Sequence, residues 1–376
     1  IQLAEQGAGR LATISGAGPA FERIARSLQA RDFLVANGWG AAHRASLTGD
    51  ASSRSYEILD LAERPRRLLM NAPALVLGPP VRDGKPYAEI AHSARDVSAF
   101  VAIDKALLDA GFSVPAIEAA DLERGFLIIE HLGDAAFLVD GKPVAERYED
   151  AAALLDDIHA QSWPDAMPTG LGAIHELPPF DRDAMLIELE LLVEWYVPFV
   201  AGEPASSALR ADYLRLWNAA LDRIADTEYS LLMRDYHSPN IVWRSDRVGN
   251  DRLGLIDFQD AMRGPTAYDL ASLAMDARVD ISEEISGRAY RAYVAARARR
   301  PGFDENEFSL AYATMAAQRN SKILGIFVRL DRRDGKSHYL KFLPRIRGYL
   351  ERATRHPGLA DLRRLYQEQG FIEETA

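Results

Sequence analysis

The chain has no cysteine among its 376 residues, which excludes disulfides, thiol catalysis and cysteine-based zinc sites. It has no run of about 18 apolar residues, so no membrane span is expected. The most apolar long segment, MLIELELLVEWYVPFV, is interrupted by Glu188, Glu190 and Glu194 and reads as an amphipathic helix. Basic residues are in deficit. The net charge of −11 argues against a nucleic-acid partner. The eight histidines show no HExxH or other ligand spacing, which argues against zinc. The chain has no G-x-G-x-x-G loop, and the Gly-Lys-Ser of DGKSHY lacks the earlier glycine of a P-loop because position 330 is Leu. It begins at Ile1 rather than Met, as a fragment or processed chain would, without the basic-then-apolar order of a signal peptide. A cytoplasmic location and a monomer are expected.

What is present is an ordinary globular composition, 48% hydrophobic and 26% charged. At roughly 100–200 residues per domain, two domains or lobes are expected. Residues 21–37 carry a helical pattern stopped by Gly38, and SYEILDL and RRLLMNAP read as an antiparallel strand pair. DVSAFVAIDKALLDA is helical, with Asp96 as N-cap and Gly111 as stop. FSVPAIEAAD and GFLIIEHLGD read as two further strands. From Tyr148 onward helical periodicity dominates, and only residues 229–257 are expected to interrupt it with strands. The fold class expected is α+β: a tail over 1–25, a small antiparallel-sheet lobe over 26–133 and a large helical lobe over 134–376.

The chemistry concentrates in LLMRDYHSPNIVWRSDRVGNDRLGLIDFQDAMRGPTAYDL, residues 231–270. NIVWR and RLGLIDF are apolar runs around a turn-prone SDRVGND. With Val248 and Gly249 at the tip, Asn240 and Asp257 face each other. Asp235 lies five residues before Asn240, in a loop stiffened by Pro239. Taken singly, each is a common turn or cap residue. Together, an amide and a carboxylate suit Mg²⁺, which takes one or two protein oxygens and completes its shell with phosphate and water. A neighbouring carboxylate suits a hydroxyl that attacks phosphorus.

RDYHSPN followed by IDFQDAMRGPTAYDL resembles the catalytic motif of the aminoglycoside phosphotransferases and related small-molecule kinases, which have a bilobal protein-kinase-like fold. Among these the likeness is greatest to the anomeric kinases of N-acetylmuramate and N-acetylglucosamine used in cell-wall recycling. It spans roughly residues 33 to 350, with further matches in GDASSRSY, AADLERGFLIIEHLGD and AAQRNSKILGIFVRLDRRDGK. The resemblance implies ATP and Mg²⁺ as cofactors, Asp235 as the catalytic carboxylate, and Asn240 and Asp257 as metal ligands. It makes Asp269 structural, and its position suggests an N-cap for DLASLAMDA. It places adenine on the backbone of Glu130 and Leu132. The implied acceptor is an amino sugar; an aminoglycoside or amino alcohol is the alternative acceptor, and a nucleotide-binding pseudokinase module of a fusion protein the alternative role.

The chain departs from that pattern in two places. Met233 stands where the motif usually begins with His, and no Lys stands near Met70, where a strand lysine usually binds nucleotide phosphates. Arg54 is the expected replacement, Lys85 a weaker one, and Ser52 and Ser53 would cover the phosphates. Arg234, Gln259, Asp260 and Arg319 are expected to face the acceptor. By charge pattern alone, Arg319, Asn320 and Lys322 read as a solvated helix face, and His237 reads as a loop histidine held by backbone. Trp195, Tyr196 and Phe199 read as core. GRLATISG resembles the last strand of the P-loop ATPase of tRNA threonylcarbamoyl modification, which some bacteria fuse ahead of such a kinase; the stretch carries no catalytic motif.

Overall fold

The computed structural model describes residues 18–47 and 54–373. The expectations for residues 1–17 and for Ser52 and Ser53 lie outside the described residues. The chain divides into two compact units, the first containing residues up to Leu75, Arg95–Val101 and Pro115–Leu132, the second Val76–Ala94, Ala102–Val114 and Gly133 onward.

In the first unit, helix α1 (Gly18–Ala36) begins within the segment expected to be a tail. Strands β1 (His43–Leu47), β2 (Ser55–Asp60), β3 (Arg67–Asn71), β4 (Ile117–Asp121) and β5 (Phe126–Glu130) form an antiparallel sheet in the order β1-β2-β3-β5-β4. The apolar run FLIIE lies between β3 and β4, and all of it except Glu130 is buried. Ala30, Phe33 and Leu34 of α1 pack on Leu59, Leu69, Phe126 and Ile128, each large side chain contributing about 1.5–3 kcal/mol by leaving water. Met70 is buried in the sheet opposite Tyr56 and Leu127.

Helix α2 (Ser98–Asp109) starts where the Asp96 carboxylate accepts the Ser98 N–H at 2.8 Å, as its capping sequence predicts. The second unit is mostly helical: α3 (Ala145–His159), α4 (Arg182–Leu191), α5 (Ser207–Asp222), α6 (Ala267–Ala274), α7 (Glu283–Arg297), α8 (Glu305–Asp334), α9 (Leu343–Ala353) and α10 (Ala360–Glu368). Its strands are more numerous than expected. β6 (Tyr229–Leu232) pairs with β9 (Met262–Pro265), β7 (Ile241–Trp243) pairs with β8 (Leu253–Leu255), and a further hairpin joins 166–168 to 174–176. β9 and that hairpin lie outside residues 229–257, where strands were expected.

Helix α8 organises this unit. Asp304 caps it through the N–H groups of Asn306 and Glu307, and Gly335 ends it in the left-handed region at φ 69°. It packs on α4, on the π turn Leu192–Tyr196 that continues α4, and on α6 and α9. The helix expected through MLIELELLVEWYVPFV is present, helical to Ala201 with a π turn inside it; Tyr196 is core, while Trp195 and Phe199 are only part-buried. Gly325 permits the contact with α4: a Cβ there would sit 2.2 Å from the Leu191 carbonyl oxygen. This approach holds α4 against the stretch of α8 that carries Gln318, Arg319 and Lys322.

Gly325→Ala is therefore expected to destabilise the protein by about 1–3 kcal/mol through overpacking, although Ala is the better helix former by roughly 1 kcal/mol. Denaturant unfolding checks this; a variant as stable as wild type would show that the two helices have room to spare.

Candidate active site

The Asp235 loop follows β6 directly. Arg234 is left-handed, φ 67°, a conformation that costs roughly 1–3 kcal/mol in a residue with a Cβ and persists only when its surroundings hold it. The holder is Asp269. Its fully buried carboxylate accepts the N–H groups of Met233 at 2.6 Å and Arg234 at 2.8 Å. The expected N-cap role is therefore wrong. Helix α6 starts two residues earlier, at Ala267, and Asp269 lies in its first turn with the carboxylate turned to the loop. His159 backs it, Nε2 3.5 Å from Asp269 Oδ2 and Nδ1 2.8 Å from the Tyr293 hydroxyl. Burial pushes the Asp269 carboxyl up, and His159 and the two backbone donors oppose that rise. Met233, where the motif usually has His, gives its backbone N–H to Asp269 and is buried beside Asp235.

The hairpin register differs by one from the expectation. Ile241 pairs with Leu255 and Trp243 with Leu253, which sets Asn240 opposite Ile256, not Asp257; Ile256 N–H donates to Asn240 O at 3.1 Å. The turn includes a 3₁₀ segment, Gly249–Arg252, and is less symmetric than a tip at Val248–Gly249. In an ideal strand this slip would send Asp257 to the opposite face. It does not, because Asp257 lies past the end of β8 and is left-handed at φ 62°. The side chains meet: Asn240 Nδ2 is 3.4 Å from Asp257 Oδ2 and donates to the Asp235 carbonyl at 3.0 Å. Asp235, Asn240 and Asp257 line one small depression.

Asp235 also lines a second cavity of about 280 Å³ in the same unit. Four cationic side chains (Arg234, Arg278, Arg319 and Lys322) and three acidic ones (Asp235, Asp260 and Asp276) face it. The expected solvated face of α8 is buried instead: Arg319 is 4% exposed and Asn320 0%. Lys322 is tolerated there because a carboxylate from α4 reaches it. Glu188, with no solvent exposure, pairs with Arg234 and with Lys322 Nζ at 2.6 Å, and its Oε2 accepts from Gln318 Nε2 at 3.1 Å. Burial would push the Glu188 carboxyl up, but the two cations outweigh it and hold the group ionised. Glu188 was read as a polar interruption of an apolar segment. Its helical phase, four residues after Ala184 and four before Leu192, places it on the buried face and was the signal. Tyr87 and Ser93 also line the cavity, from a single helical turn, Tyr87–Ile90, and the loop after it, too short for periodicity to reveal them.

The other expected residues fall as follows. Arg234 is 7% exposed and donates to the Ala91 carbonyl at 3.2 Å. Asp260 Oδ1 accepts the Ala94 N–H at 2.7 Å. Gln259 does not line the cavity; its amide donates to Asp257 and Asp260, both at 3.2 Å. His237 is buried, and its side chain is not held by backbone as expected: Nε2 is 3.9 Å from Asp235 Oδ1 and Nδ1 is 4.0 Å from Asp276 Oδ2. Burial pushes its pKa down, with Asp276 and Asp235 opposing. In the first unit, Arg54 is half-buried just before β2. Glu130 ends β5 with its N–H bound to Ala116 O at 2.8 Å, and Leu132 follows two residues on. Lys85 is exposed on the 80–86 hairpin of the second unit, outside the five-stranded sheet.

An antiparallel-sheet unit, a helical unit and a loop carboxylate beside an Asn–Asp pair define the class: a small-molecule kinase with a protein-kinase-like fold. The chain belongs to the phosphotransferase enzyme family, which it matches over residues 44–305. It is 35% identical over 353 residues to the N-acetylmuramate/N-acetylglucosamine kinase of Caulobacter vibrioides, covering 91% of this chain and 96% of that protein. To the protein of the same name from Pseudomonas putida it is 32% identical over 349 residues, covering 90% and 93%. Among solved structures, the ethanolamine kinase of Plasmodium vivax superposes with a TM-score of 0.57 over 87% of this chain and 88% of that one; at 12% identity this likeness concerns the fold.

Burial alone would raise the Asp235 carboxyl; His237, Arg319, Lys322 and Arg234 around it reverse that and hold it below its ordinary value. A depressed carboxylate stays ionised until pH falls through the lowered value. Activity that needs ionised Asp235 is thus kept to lower pH than an unperturbed carboxylate would allow. Arg319→Gln is expected to move the acid limb of the kcat/KM profile to higher pH; an unmoved or lowered limb would show that Arg319 does not act on Asp235.

Proposed function

We propose that the protein transfers the γ-phosphoryl group of ATP to the anomeric hydroxyl of N-acetylmuramate or N-acetylglucosamine, giving the sugar 1-phosphate. The observation that carries this reading is that Asp235 is common to the two depressions, one with Asn240 and Asp257 and the other with the cationic side chains of α8. A carboxylate at that junction holds the acceptor hydroxyl, accepts its proton as the bond to phosphorus forms, and orients the oxygen toward the phosphate.

Asn240 and Asp257 fit Mg²⁺. The Asn240 amide nitrogen is turned to the Asp235 carbonyl and to Asp257, so its oxygen is the atom left for a metal. One amide and one carboxylate oxygen are what Mg²⁺ takes from a kinase. When bound, the ion neutralises charge on the β- and γ-phosphates. Gln259, which donates to Asp257 and Asp260, positions the ligand carboxylate rather than the sugar. Asp260 and Arg234 are walls of the acceptor cavity. Adenine would take its backbone donor from Leu132, since the Glu130 N–H is committed within the first unit, and Arg54 would approach the phosphates.

With Glu188 behind Arg234 and Lys322, four cations meet four carboxylates, so the wall has no net negative charge to attract a polycationic aminoglycoside and suits a neutral sugar. The relatives named for N-acetylmuramate and N-acetylglucosamine support the same acceptor class. ATP supply puts the reaction in the cytoplasm, and nothing in it calls for more than one copy of the chain.

Wild-type protein with ATP, Mg²⁺ and either sugar is expected to yield the 1-phosphate, detected by ³¹P NMR. Asp235→Ala should lower kcat by about 10²–10⁴-fold. Nucleotide binding without transfer to either sugar, or an Asp235→Ala variant of wild-type rate, would overturn the reading.

A further inference from the structure

Of the cations facing the acceptor cavity, Arg319 is placed differently from Arg234 and Lys322. Those two are engaged by Glu188. Arg319 is 4% exposed, yet its Nε and Nη1 are buried with no hydrogen-bond partner, and its Nη2 stands 3.9 Å from Asp235 Oδ1, too far to donate. A buried guanidinium with undirected N–H groups is costly unless a ligand supplies acceptor oxygens. Being a donor only, it selects for a carbonyl or carboxylate oxygen and against an ammonium group.

The distance to Asp235 limits where that oxygen sits. If Asp235 holds the reacting hydroxyl on the anomeric carbon, a group beside Arg319 belongs to the neighbouring carbon. On an N-acetylated amino sugar this is the acetamido substituent, whose carbonyl is an acceptor. We propose that Arg319 is a specificity-determining residue that donates to the acetamido carbonyl oxygen of the acceptor; the assignment rests on the sugar reading above. That group is common to N-acetylglucosamine and N-acetylmuramate, while the lactyl ether of the latter lies one carbon further from Asp235. A single contact therefore admits both sugars, rejects glucosamine by charge, and disfavours glucose, whose 2-hydroxyl oxygen accepts but lies two bonds nearer the ring than the acetamido oxygen and falls short of the guanidinium.

The test compares kcat/KM for N-acetylglucosamine, glucosamine and glucose in wild type, Arg319→Gln and Arg319→Lys, with thermal melting as the check on folding. Because Arg319 also faces Asp235, its loss lowers every rate; the ratio between acceptors removes that shared effect. Wild type is expected to prefer N-acetylglucosamine over glucose by about 10- to 100-fold, the worth of a hydrogen bond to a charged group. Arg319→Gln should reduce that preference to within about threefold, and Arg319→Lys, which keeps charge but loses the planar pair of donors, to between the two. An Arg319→Gln variant with the wild-type ratio, or a wild type with no preference, overturns the assignment alone. If Arg319→Gln does not fold, an unchanged ratio in Arg319→Lys overturns it. Absence of transfer to any of the three by wild type, with either N-acetylated sugar also inert, overturns the sugar reading and this assignment with it.

Discussion

The second unit is built around one buried carboxylate. Glu188 comes from α4, is wholly excluded from solvent, and meets Arg234 of the Asp235 loop and Lys322 and Gln318 of α8. A lone buried charge costs several kcal/mol, and a buried pair is kept only when its geometry and remaining hydrogen bonds are good. Here one carboxylate serves two cations and an amide donor. It ties the loop that carries Asp235 to α4 and to α8, which walls the cavity. Gly325 makes the interaction reachable, because a side chain at that position would drive α8 away from the Leu191 carbonyl.

A second buried carboxylate shapes the loop itself. Asp269 holds the Met233 and Arg234 N–H groups, so Arg234 stays left-handed and the chain turns Asp235 out to the cavity. At the other end of the constellation, Asp257 is also left-handed and recovers a meeting with Asn240 that the strand register alone would prevent. Two local departures from regular backbone thus bring three side chains of one sequence motif into one place. Strain of this sort, held by surrounding contacts, is common where side chains must be aimed rather than merely packed.

Much of this was legible in the sequence, and the remainder was hidden for identifiable reasons. Apolar spacing located α1, α2 and the helical run from Tyr148 onward, and the alternation in SYEILD and the apolar run FLIIE located strands of the first unit, because periodicity follows directly from burial of one face. The loop and hairpin motif singled out Asp235, Asn240 and Asp257 as neighbours, although the register behind that inference was off by one. Charge pattern misled at Arg319, Asn320 and Lys322: a cationic stretch on a helix normally faces water, but Glu188, distant in sequence, holds Lys322 inside, and Arg319 lies buried 3.9 Å from Asp235. Asp269 was mistaken for a cap because its distance from Met233 and Arg234 in the chain conceals their contact. Tyr87 and Ser93 had no signal, since one helical turn and the loop after it are too short to show a periodicity.

The most direct test of the claim that Glu188 holds the site together is the unfolding free energy of Glu188→Ala, from denaturant titration. Removing one member of a buried ionic cluster strands its partners, and the expected loss is about 3–5 kcal/mol relative to wild type. A variant within about 1 kcal/mol of wild type would contradict the account, because Arg234 and Lys322 would then be stable in the interior without the carboxylate said to keep them there.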